Sequence, residues 1–159
     1  MSLIAKMRLL DIRVPPPIVG LLLGIGMWAI SPETSPVDVP AYVRLAVAAL
    51  LLTTGCAFGL AGVIAFRRAQ TTVNPLKPET TSALVTDGVY RITRNPMYLG
   101  FLVMLVAWAV FLSSAWALLG PVMFVLYVTR FQIVPEEKAL RSMFGESFTS
   151  YQTSVRRWL

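Results

Sequence analysis

Histidine is absent from the 159 residues, and cysteine occurs once, at Cys56 inside an uncharged stretch. The first absence excludes Ser-His-Asp and Cys-His nucleophile chemistry, histidine acid–base catalysis and histidine metal sites in this chain. The second excludes an intrachain disulfide and leaves no ligand set for structural zinc, so no metal site is expected. Charge is sparse too: Asp, Glu, Lys and Arg make up 14% of the residues against 56% hydrophobic, with a mean hydropathy of +0.68. A soluble domain of this length does not carry so little charge, and the class is a single-domain integral membrane protein. The formal charge of +6 does not point to nucleic acid, because the basic residues flank apolar segments and form no run. Any reaction must run on Arg, Glu, Asp, Tyr, Lys and backbone groups, or need no strong base.

What is present is a series of uncharged runs. Residues 1–13 read as a short amphipathic helix on the membrane surface, and Lys6, Arg8 and Arg13 precede a first span that is retained rather than cleaved. Pro15-Pro16-Pro17 opens the first span, residues 14–30, because proline is tolerated where a helix begins. Gly20, Gly24 and Gly26 give it small-residue spacing for close helix approach. Ser31–Pro40, with three prolines, Glu33 and Asp38, is a loop outside the membrane. The second span is residues 42–66, with Gly55, Gly59 and Gly62 as a packing face and Arg67-Arg68 closing it. The uncharged run 97–129 is too long for one span and short for two, so Ser113-Ser114 predicts a helical hairpin with spans 97–112 and 115–130, each roughly 24 Å long. Gly120-Pro121 predicts a kink in the second arm. Beyond Arg130, Pro135-Glu136-Glu137 starts an amphipathic helix with Leu140 and Phe144 on one face, Gly145 ends it, and a last helix offers Phe148, Tyr151 and Val155. Four spans place every Lys and Arg except Arg44 on the side of both termini, which the positive-inside rule makes cytoplasmic, as in a prokaryotic inner membrane.

The cytoplasmic segments, 69–96 and 131–159, hold the polar candidates. Asp87-Gly88 is a turn dipeptide. Asn95-Pro96 reads as a helix start, with Asn at the N-cap and Pro at the first helical position. Such a terminus offers backbone N–H groups and a positive dipole end to an anion, with Arg91 and Arg94 beside it. The same residues also read as a basic interfacial loop anchored by Tyr90 and Tyr98. Glu137 and Arg141, four apart, also suit a solvated helix pair, and Arg130 also suits a snorkelling membrane-edge anchor.

The pattern Asn74-Pro75-x-Lys77-Pro78, then Leu84-Val85-x-x-Gly88-x-Tyr90-x-x-x-Arg94-Asn95-Pro96-Met97-Tyr98-x-Gly100, then Glu136-Glu137-x-x-Leu140-x-x-x-Phe144-Gly145 and Tyr151, resembles the isoprenylcysteine carboxyl methyltransferase family, in particular its small prokaryotic members. The resemblance covers about residues 73–158. It implies an S-adenosylmethionine-dependent methyltransferase built from membrane helices with no Rossmann domain. The cofactor would lie in a pocket made by the connector, the hairpin and the C-terminal helices, and a lipophilic acceptor would enter from the bilayer. It implies Leu84, Val85, Gly88, Tyr90, Arg94, Asn95, Tyr98, Glu136 and Glu137 as cofactor candidates. Two departures stand out: Asn95 replaces the histidine of many eukaryotic members, and of their Arg and Glu cluster before the Glu-Glu pair only Arg130 remains.

Methyl transfer from a sulfonium needs alignment more than proton transfer, so a histidine-free site suffices. A carboxylate acceptor arrives ionised and would be held by Arg130; a thiol or amine would need a base, for which Glu136 or Glu137 is nearest. Tyr90 and Tyr98 would offer aromatic faces to the sulfonium or the adenine. Two other readings stand beside this one. A nicotinamide-dependent membrane reductase is an alternative because sterol reductases resemble the family in their C-terminal helices, and a non-catalytic assembly protein packing through glycine-rich helices is another. Acceptor identity and oligomeric state are not encoded in the motifs.

Overall fold

The computed structural model describes residues 14–33, 37–69 and 83–159, and every regular element among them is helical. The surface helix expected over 1–13 and the Asn74-Pro75-Leu76-Lys77-Pro78 segment lie outside the described residues. Helix α1, Pro16–Ile30, starts on prolines that fix φ where no N–H partner is required. Helix α2, Ala41–Arg68, runs slightly beyond the expected span at both ends and carries Arg67 and Arg68 in its last turn, where the dipole favours cations. Helix α3, Pro96–Leu112, is antiparallel to α2, since its first residues meet Gly62 and its middle meets Gly55. A tight turn Ala115–Leu118 then leads into α4, Leu119–Val128.

Glycine sets the distance between α2 and α3. A Cβ on Gly100 would stand 2.6 Å from the carbonyl oxygen of Gly55 and 2.9 Å from the amide nitrogen of Gly59, so the backbones touch directly. In a bilayer, where lipid is as apolar as leucine, such close packing is a main source of helix association. A second approach joins α1 to α4, where Met27 lies so close to Gly120 that any Cβ there would overlap its sulfur. Of the glycines in α1, Gly20 meets only ordinary contacts and Gly26 faces open space.

The hairpin turns at Ser113, which adopts φ +55°, a left-handed conformation unusual for a residue with a side chain. The turn is tied down from outside: Val37 N–H donates to the Ser113 carbonyl at 2.7 Å, and Ser113 Oγ donates to the Val37 carbonyl at 2.8 Å. Gly120-Pro121 falls in the opening turns of α4, where proline costs no helix bond, and the irregularity of the second arm sits further along. A π turn over Thr129–Ile133 separates α4 from α5, Val134–Phe144. Pro135 has no N–H to return to the Phe131 carbonyl, and a widened turn immediately before it accommodates that loss. Fully buried Gln132, within this turn, donates from Nε2 to the Val14 carbonyl at 2.8 Å and so fastens the start of α1. Gly145, at φ +52°, ends α5 as expected, and α6, Glu146–Ser154, follows.

Among the described residues, two helical stretches are long and apolar enough to cross a membrane, Ala41–Arg68 and Ala115–Phe144; Pro16–Ile30 and Pro96–Leu112 are shorter apolar helices. The apolar part of the second stretch ends at Val134, before the charged turn Pro135-Glu136-Glu137-Lys138. Outward-facing side chains include Leu21, Leu22, Trp28, Leu50, Leu60, Trp116 and Leu126, all more than half exposed. A contiguous apolar exterior of this kind is that of a helical membrane protein. Inside, one core gathers Met27, Tyr98, Leu105, Phe124, Val128 and Ile133, and a second gathers Tyr90, Phe148 and Tyr151 beneath the charged end.

Candidate active site

The polar candidates converge where the connector, the start of α3, the start of α5 and the C-terminal tail meet. Gly88, exposed at φ +62°, makes the turn that follows Asp87, and a single turn Gly88–Arg91 then carries Tyr90 inward. The Tyr90 ring packs on Phe66 with centroids 5.4 Å apart, and its carbonyl accepts a 2.7 Å hydrogen bond from the Tyr151 hydroxyl. Leu84 and Val85 pack against the same cluster, together with Leu140, Phe144 and Val155. Burial pushes the Tyr90 and Tyr151 hydroxyls up, for Tyr90 with further contributions from Tyr151 and Glu136, so both stay protonated donors.

Arg94 points inward and Arg91 does not. Arg91 forms an exposed pair with Asp87 at 3.1 Å. Arg94, whose side chain is 12% exposed, donates from Nη2 to Glu137 Oε1 at 3.0 Å and from Nη1 to the Gln152 carbonyl at 2.9 Å. Glu137 also takes Arg157, Nε to Oε1 at 3.1 Å and Nη2 to Oε2 at 2.7 Å, in a bidentate pair. The carboxylate therefore joins α5 to the connector and to the tail, and the pairing with Arg141 that its spacing allowed is not formed: Arg141 donates to Gln152 Oε1 at 2.7 Å. The Arg157 guanidinium is held above its ordinary value chiefly by its hydrogen bond to Glu137. Buried Arg94 Nε has no hydrogen-bond partner.

Asn95 occupies the N-cap position of α3, but its side chain does not cap the helix. Its Nδ2 donates instead to the Arg157 carbonyl at 2.9 Å, which also accepts from Thr93 Oγ1 at 3.2 Å, while Arg94 N–H donates to the Arg156 carbonyl at 3.0 Å. The tail is thereby laced along Thr93-Arg94-Asn95. Tyr98, one turn into α3, donates its hydroxyl to Glu136 Oε1 at 2.5 Å. Glu136 has no cationic partner among the described residues, and its carboxyl is pushed up to about 7: burial raises it most, the Tyr98 hydrogen bond pulls it down, and the Glu137 charge raises it again. Adjacent residues thus have opposite character, one carboxylate clamped by two guanidiniums and one half-buried acid poised near neutrality.

Arg130 is exposed on the π turn, with its guanidinium 5.1 Å from the centre of the Phe131 ring. Arg157, Thr93 and Gln152 were not legible as site residues. Thr93 is fully buried inside the motif, and its hydroxyl adjoins the arginines in sequence, but nothing in a pattern read along the chain ties Arg157 to residues more than sixty positions earlier. No group of three or more Cys, Asp and Glu able to hold a metal ion occurs among the described residues.

The family model described as phospholipid methyltransferase matches residues 43–147. The chain is 34% identical over 109 residues to protein-S-isoprenylcysteine O-methyltransferase A of Arabidopsis thaliana, covering 67% of this chain and 54% of that protein. It is 33% identical over 101 residues to methanethiol S-methyltransferase of Pseudomonas deceptionensis, covering 62% of this chain and 35% of that one. An uncharacterized protein of Haemophilus influenzae is 44% identical over 63 residues, 40% of this chain and the whole of that one. The chain thus matches about half the length of the plant relative and about a third of the Pseudomonas one. No solved structure matches it.

Proposed function

Because the chain belongs to the phospholipid methyltransferase family, we propose that it is an S-adenosylmethionine-dependent membrane methyltransferase acting on a lipophilic or small acceptor. The carrying observation is the junction of Tyr98-Glu136 with Arg94-Glu137-Arg157 at one end of the bundle. This donor set suits a zwitterionic sulfonium. Arg94 has an unsatisfied buried Nε for a carboxylate, beside a helix start that no side chain caps. Glu136, without a cationic partner among the described residues, suits an ammonium or ribose hydroxyls beside Tyr98, and Asn95, Leu84, Val85, Gly88 and Tyr90 would complete the wall on the connector side. Bound there, the cofactor supplies the methyl group and leaves as the thioether S-adenosylhomocysteine.

The chain's own part is alignment and proton management. Glu137 fixes Arg94 and Arg157, so the guanidiniums are held before any ligand arrives and little ordering is left for the moment of reaction. Glu136, titrating near neutrality, takes the proton of a thiol or amine acceptor; a carboxylate acceptor needs no base, and Arg130 on the π turn then holds it as an ion pair. The names of the relatives, an isoprenylcysteine O-methyltransferase and a methanethiol S-methyltransferase, support acceptors of both kinds. In this reading four helices cross the bilayer and both termini lie in the cytoplasm, which brings the whole site to one face.

Calorimetric titration of the detergent-purified protein with S-adenosylhomocysteine, with NADPH as control, tests the proposal. Saturable binding of the former alone is expected. A folded protein that binds neither, or that binds NADPH more tightly, overturns it.

A further inference from the structure

The end of the bundle opposite the Tyr98–Glu136 site contains a second feature that methyl transfer does not use. Helices α2 and α3 are antiparallel, so Arg44, in the first turn of α2, lies beside the last turn of α3 and the Ser113 turn. A cavity of about 340 Å³ opens there, within the range of about 300–1,000 Å³ common for small-molecule sites. Its wall is almost wholly apolar, with Val37, Val43, Val47, Ala109 and Leu118, and Arg44 is the one charged residue on it among the described residues.

Arg44 is half-buried, and its Nε is shielded from solvent without a hydrogen-bond partner. Among the described residues no carboxylate pairs with it, and Asp38, the nearest acid in sequence, is exposed. A guanidinium with an unpaired buried N–H is costly unless an anion meets it, and its planar fork matches a phosphate. Two hydrogen bonds between Val37 and Ser113 close one side of the cavity.

We propose that this cavity binds one phospholipid of the leaflet opposite the candidate active site, with its phosphate on Arg44 and an acyl chain along Val47, Ala109 and Leu118. The charge selects the phosphate and the apolar wall selects the chain, so neither half suffices alone. The site lies at the far end of α3, roughly 20 Å from Tyr98 along a helix of 1.5 Å rise. It is independent of methyl transfer and holds whatever the acceptor proves to be.

The test is native mass spectrometry of the delipidated full chain in detergent, supplied separately with phosphatidylglycerol, diacylglycerol of the same chains, and glycerol phosphate. Retention of phosphatidylglycerol alone is expected. Arg44→Gln should lower that retention by about tenfold or more, the loss of one charge-assisted hydrogen bond. Arg44→Lys should retain part of it, and Val47→Trp should abolish it by filling the cavity. Each variant's unfolding temperature and S-adenosylhomocysteine binding are measured alongside, so a misfolded variant is recognised and the Lys and Trp variants carry the test. Equal retention by wild type and Arg44→Gln, or retention of diacylglycerol as strong as that of phosphatidylglycerol, overturns the proposal. Binding of glycerol phosphate alone as strongly as of phosphatidylglycerol overturns it too, making this a free-anion site.

Discussion

The phenol of Tyr98 and the carboxyl of Glu136, 38 positions apart in sequence, meet at 2.5 Å and join the first turn of α3 to the first turn of α5. The acid of this pair, pushed up to about 7, is poised to change its charge near neutral pH. Its neighbour Glu137 is committed to two arginines.

Stability should carry the signature of Glu136. Its folded value of about 7 lies above the ordinary 4.5, so between these values the folded protein holds more protons than the unfolded chain. Stability therefore falls as pH rises through that window and levels off above about 7, by an amount on the order of 3 kcal/mol. Unfolding of the detergent-solubilised protein at pH 5 and pH 8, compared with Glu136→Gln, isolates this contribution. Wild type minus variant should lose stability toward pH 8, and a flat difference would refute the assignment.

Tyr98→Phe removes the donor that pulls the Glu136 value down. The inflection of the same pH–stability curve should move upward, and the variant should lose about 1.5–3 kcal/mol at pH 8, where the carboxylate is charged and without its partner. At pH 5 the loss should be smaller. An equal loss at both values would show that the hydroxyl acts by packing only.

Around Glu137 the costs should be unequal. Glu137→Gln leaves Arg94 and Arg157 facing each other, and with the side chain of Arg94 12% exposed the loss is on the order of 2–3 kcal/mol. The Arg157 side chain is 36% exposed, so Arg157→Ala should cost less, about 1 kcal/mol. Arg141→Ala should leave the Glu137 network intact. Chemical denaturation of the variants gives the order directly, and a larger effect from Arg141 than from Arg157 would contradict the pairing seen here.

Gly100→Ala should strongly destabilise the α2–α3 contact, by about 1–3 kcal/mol, because the added methyl meets backbone atoms that cannot move aside. Gly59→Ala on the facing helix should be near neutral, since its own Cβ meets nothing within 4 Å. Melting temperatures of the two variants in one detergent test the asymmetry.

The sequence by itself determined where the helices lie and where they stop. Uncharged runs marked α1 to α4, Ser113 marked the hairpin turn, and Gly145 marked the end of α5, because hydropathy and positive φ are properties of short segments that need no distant partner. The glycines of α2 were readable as a packing face for the same reason. Tertiary structure decided the rest. Glu137 has Arg141 four residues away, yet pairs with Arg94 and Arg157; Asn95 stands at an N-cap, yet gives its amide to the tail; Gly120-Pro121 is a helix opening, and the distortion falls at Thr129–Ile133. The first two outcomes depend on how α3, α5 and the tail are placed against one another, while the last follows from the missing N–H of Pro135. A pattern along one chain records which faces are small, apolar or charged, but a carboxylate's choice among three arginines is made by distance in the folded molecule.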